Sequence, residues 1–119
     1  MTEDKKDIYC KEMSNLARKQ NCFDDMFVYR YTESLEVDIY DYNSYFKMYN
    51  LLPAISHSSW YLSYSYDRRE NFWRINASWE DEGAILQLVE TVETIVTTCM
   101  RAQSEFETCF QEVNNIIGV

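Results

Sequence analysis

The only histidine, His57, stands in the run Ser56-His57-Ser58-Ser59, where hydroxyls beside an imidazole would suit nucleophilic catalysis if a third group oriented the base and nearby donors held an oxyanion. No nucleophile-elbow pattern surrounds these serines. The only glycines, Gly83 and Gly118, lie far away, so the run reads as a loop with local backbone hydrogen bonds. The same shortage of glycine excludes a phosphate-cradling loop. Cys10, Cys22, Cys99 and Cys109 form no CxxC pair, which leaves zinc-finger and redox-motif readings without support. Asp24-Asp25 reads as a turn, and Glu80-Asp81-Glu82 as the acidic first turn of a helix favoured by its dipole, not as converging metal ligands. Paired carboxylates for glycoside chemistry would need a sugar-enclosing cleft, for which the domain is small. No catalytic residue, metal ligand or cofactor is assigned.

Binding chemistry is better represented. Lys and Arg number 11 against 20 Asp and Glu, a net charge of -9, and from residue 75 onward Arg101 is the only cation. A surface of this sign repels phosphate backbones and anionic lipid, so neither direct nucleic-acid binding nor membrane association is expected. It suits a partner protein with a basic surface. Nine of the ten tyrosines fall between Tyr29 and Tyr66. Tyrosine offers large amphipathic contact area at small conformational cost. Glu36, Asp38, Tyr40, Asp41, Tyr42, Tyr45 and Tyr49 together form the expected partner-binding set: Tyr40 lies on the polar side of its strand and the other tyrosines flank the acidic run.

The elements that must present these groups follow from periodicity. Tyr9, Met13, Leu16 and Ala17 recur at helical spacing, widened by Ile8, and predict a helix over about 5–20. Met26 to Tyr31 has strand composition, and Leu35, Val37 and Ile39 alternate with Glu36, Asp38 and Tyr40 as in a strand with one wet face. These give strands near 26–31 and 35–41 joined at Thr32-Glu33-Ser34. Tyr45, Phe46, Tyr49 and Leu52 predict a short helix ended by Pro53. Trp60, Leu62, Tyr64 and Tyr66 then alternate with Tyr61, Ser63 and Ser65, and Trp73, Ile75, Ala77 and Trp79 with Phe72, Arg74, Asn76 and Ser78, giving strands near 59–66 and 72–79 around a 67–71 hairpin.

The most regular pattern is the last. Ile85, Val89, Val92, Val96, Cys99, Gln103, Phe106, Phe110, Val113 and Ile117 are spaced alternately four and three apart, the heptad repeat of a packed helix seam. Asp81 is placed to cap it and Gly118 to end it. A helix over 82–117 is about 54 Å long, whereas a small four-stranded sheet is only about 20 Å across. Its second half therefore needs the first helix, a second copy or another protein to cover it. Homodimerisation through Cys99, Gln103, Phe106, Phe110, Val113 and Ile117 is the expected arrangement. Cys99 and Cys109 are about 15 Å apart along one helix, too far to bridge, and are expected as buried free thiols.

The resulting expectation is a single α+β domain over 1–119, ordered α-ββ-α-ββ-α, with an antiparallel sheet covered on one face by helices. With residues 1–7 polar, no run of 18 apolar residues and no disulfide framework, a reduced cytoplasmic chain is expected. Its expected role is non-catalytic protein binding, as an acidic inhibitor, adaptor or chaperone-like homodimer. The competing expectations are a ligand or catalytic pocket near the tyrosines and His57, and a structural subunit of a larger assembly.

Overall fold

The computed structural model describes residues 1–20, 23–40, 62–67, 69–70 and 72–118. The predicted helix near 42–52, with Asp41, Tyr42, Tyr45, Tyr49 and His57, lies outside them. The described elements are helix α1 (Glu3–Arg18), strands β1 (Asp25–Arg30), β2 (Ser34–Tyr40), β3 (Ser63–Asp67) and β4 (Phe72–Ser78), and the long helix α2 (Glu82–Ile117). The strands form one antiparallel sheet in the order β1-β2-β4-β3. This is the expected α+β arrangement.

Thr2 caps α1 by accepting from the Lys5 N–H, and Met13 and Leu16 carry its buried face. Ile8 points to solvent instead of widening that face. Arg30, at the end of β1, ties the strand to α1 through Glu3 and Asp7. The β1–β2 turn is tight, with the Tyr31 N–H donating to the Ser34 carbonyl at 2.8 Å. Alternation then sorts the side chains of the strands. Leu35, Val37 and Ile39 meet Trp73, Ile75 and Ala77 on the helix-covered face, while Glu36, Asp38, Phe72 and Arg74 fall on the other.

Helix α2 starts where the Asp81 carboxylate accepts from the Ala84 N–H at 3.1 Å. It ends at Gly118, whose φ of 77° is the left-handed cap that favours glycine. Trp79 pins its start to the β1–β2 turn: the indole Nε1–H donates to the Tyr31 carbonyl at 2.8 Å and the backbone N–H to Glu33 at 3.0 Å. Ile85, Leu88, Val92 and Ile95 are fully buried, each contributing about 1.5 to 3 kcal/mol by burial, an upper bound. By length and composition alone α2 is apolar enough to cross a membrane, but its first half packs into the core.

Cys99 corrects one expectation. It is fully buried and disulfide-bonded, not a free thiol. A separation of about 15 Å along one helix excludes only a bridge between Cys99 and Cys109, not one to another part of the chain. Cys109 is free but exposed, and Cys10 is free and half-buried. A disulfide persists mainly in oxidising compartments, so the reduced-thiol argument for a cytoplasmic chain does not carry over.

Candidate functional site

Two surfaces stand out, one on α2 and one on the face of the sheet that is helix-free among the described residues. Lys5 meets Glu82 at 3.2 Å at one end of the α1–α2 contact. Leu16 and Lys19 lie beside Val89 and Glu93 at the other, so α1 flanks only the first half of α2. Cys99 is the last buried residue of α2. Beyond it the heptad line emerges into solvent: Phe106, Phe110, Val113 and Ile117 are 47%, 60%, 54% and 63% exposed, although all but Gln103 on this stretch of the line are apolar. Phe106 and Phe110 stack at 6.3 Å between centroids. The molecule measures 59 × 26 × 22 Å, with a radius of gyration of 16.2 Å, against about 13 to 14 Å for a compact chain of this length. Of the expected dimer residues, Cys99 belongs to the core, Gln103 is half-buried where the helix leaves the body, and the remaining four are exposed.

The sheet's helix-free face differs from the expected wet face. Glu36 and Asp38 are only 8% and 2% exposed. The reason is topological: β2 is an interior strand, so its side chains have neighbours on both sides. From β4, Arg74 makes a two-pronged contact with Asp38, Nε and Nη2 each 3.1 Å from one carboxylate oxygen, and its Nε lies 3.2 Å from Glu36 Oε2. That oxygen is in ionic contact but accepts no hydrogen bond among the described residues. From β1, Phe27 stands opposite Asp38 and Tyr29 opposite Glu36. Burial, with Asp38 alongside, pushes the Glu36 carboxyl above its usual range against the pull of Arg74. Hydrogen bonding to Asp38 in turn raises Arg74, which stays charged.

Rings form an arc around this cluster. Tyr31, just past the end of β1, and Tyr29 and Phe27 within it follow one another at centroid distances of 6.4 and 6.3 Å. Phe27 meets Tyr40 edge-on at 6.1 Å, Tyr40 lies 4.6 Å from Phe72, and the Arg74 guanidinium sits 5.1 Å over Phe72. Tyr40 is therefore on the helix-free face as expected, half-buried within the arc. Phe27, Tyr29, Tyr31, Phe72 and Arg74 were not in the expected binding set. The hairpin turn at Thr32-Glu33 is the signal for the β1 rings, because it sets Tyr29 opposite Glu36 and Phe27 opposite Asp38, whereas Phe72 and Arg74 join them only through the β2–β4 pairing, which has no local signal. Tyr64 and Tyr66 line the core side, Tyr66 meeting Trp73 edge-on at 5.8 Å.

Among the described residues no three His, Cys, Asp or Glu side chains are grouped to hold a metal ion. The Glu36–Asp38–Arg74 cluster carries one net negative charge beneath aromatic rings, a combination that attracts cations. Comparison with known protein families, curated protein sequences and solved structures returns no match for this chain.

Proposed function

We propose that this protein is a non-catalytic binding module, an acidic inhibitor, adaptor or chaperone-like protein that self-associates through the projecting half of α2 and engages a basic protein surface. The observation carrying the reading is the exposed apolar line Phe110, Val113 and Ile117, which continues the four-three spacing of the buried half of the same helix. An apolar seam at this spacing is self-complementary, since two copies interlock knobs into holes. The net charge of -9 favours a basic partner.

Light scattering across a concentration series tests the reading. The expected mass is twice the 14.3 kDa of one chain. A mass of one chain at the highest concentration, with α2 intact by circular dichroism, rejects self-association. Pull-down at low and moderate salt tests the second element: the expected partners are basic proteins released by salt, and acidic or salt-insensitive partners would overturn it.

A further inference from the structure

We infer that the aromatic arc on the helix-free face of the sheet is a docking site for an arginine side chain presented by a basic partner protein, seated over Phe27 and Tyr29 beside the Glu36–Asp38 pair. The inference rests on the proposed reading of this protein as a binder of basic surfaces and assigns that binding to a place.

The geometry of the site is already half realised within the fold. On the β4 side of the two carboxylates, Arg74 lies over the Phe72 ring and bonds Asp38 with both prongs. On the β1 side, Phe27 and Tyr29 stand opposite the same carboxylates in register, with rings more than two-fifths exposed. Among the described residues, the one cation on β1 is Arg30. By strand alternation it points to the other face, where Glu3 and Asp7 hold it. An incoming guanidinium over Phe27 and Tyr29 would repeat, across β2, the placement of Arg74 over Phe72.

Charge favours such a guest. Asp25, Glu36, Asp38 and Asp67 point to this face from the strands, and among the described strand residues Arg74 alone opposes them. Glu36 is nine-tenths buried, and its Oε2, in ionic contact with Arg74 at 3.2 Å, accepts no hydrogen bond among the described residues, so the pair's negative charge is only partly neutralised beneath the rings. Arginine suits the site better than lysine, because a planar guanidinium stacks on a ring while bonding a carboxylate in its own plane.

The test uses the full-length protein and a capped nonapeptide in which arginine alternates with serine, with an arginine-to-glutamine version as control, titrated by calorimetry at low salt. The arginine peptide is expected to bind and the glutamine peptide not. Phe27→Leu with Tyr29→Leu keeps apolar strand residues but removes both ring faces, and should weaken binding about 5- to 30-fold. Tyr29→Leu alone, the milder change should the pair unfold, is expected to weaken it about 2- to 5-fold. Glu107→Gln with Glu112→Gln removes two charges from the far helix and should change binding less than twofold.

Equal losses in the ring and helix variants would overturn the site in favour of diffuse attraction. An unaffected ring variant would overturn the site while leaving the basic-partner reading standing. No binding by the wild type would overturn both, and self-association, measured separately, would stand or fall on its own. If the ring variant loses self-association instead, the face belongs to a second copy and the inference fails.

Discussion

Truncating Phe110 to alanine tests the proposed self-association separately from folding. The ring lies beyond the last buried residue of the helix and is 60% exposed. A phenylalanine side chain contributes roughly 200 Å², so about 120 Å² is left for a second surface to cover. At about 25 cal/mol per Å² that is about 3 kcal/mol, of which alanine forfeits about 2. A two-fold dimer carries the change in both copies, so the loss doubles to about 4 kcal/mol, or roughly 10³ in the dissociation constant. Within one chain the ring stacks on the half-exposed Phe106, and alanine is the better helix former, so the monomer should shift by about 0.5 kcal/mol or less. Sedimentation equilibrium on wild type and Phe110→Ala, with thermal unfolding at a dilution where both are monomeric, measures the two effects independently. An unchanged dissociation constant, or a large drop in monomer stability, would refute the assignment of this ring to an intermolecular seam.

Three other perturbations probe the remaining features. Arg74→Met strands the Glu36 and Asp38 carboxylates together without their cation. It should destabilise the fold by about 2 to 3 kcal/mol in urea unfolding, less than for a fully buried pair because the guanidinium is half exposed. Glu36→Gln tests the raised carboxyl. Because the folded state holds that proton more tightly than the unfolded chain, wild-type stability should fall as pH rises from about 4.5 through the folded-state value, then level off; the variant should lack this fall, and parallel curves would exclude it. Mild oxidation should cross-link the proposed dimer through Cys109, which is exposed on the projecting half of α2. It should spare Cys10, whose thiol burial pushes up. Cys109→Ser is expected to abolish the cross-linked band on a non-reducing gel, and a persistent band would implicate another contact.

The local patterns carried most of the architecture. Leu35, Val37 and Ile39 betrayed a strand with one apolar face, the four-three line from Ile85 onward betrayed a single long helix, and Asp81 and Gly118 marked its ends within the residues observed. The mismatch between that helix and a narrow sheet was equally legible, because both lengths follow from residue counts. Strand order was not. That β2 pairs with β4 depends on a connection through residues 41–61, and only this pairing brings Arg74 beside Asp38 and turns an expected wet face into a buried ion cluster. Cys99 shows the same limit, since spacing within a helix says nothing of a bridge to another element.

The overhang of α2 also shapes how the helix holds itself together. An isolated segment of about 18 residues would be only marginally helical in water, because starting the first turn is costly. Here the start is made for it: the packed turns from Ala84 to Cys99 act as the nucleus, and the remainder need only propagate outward, bond by bond. Loosening should therefore run backward from Gly118 toward the body, with amide exchange fastest at the tip and graded along the rod. A bound surface would register first as that gradient flattening.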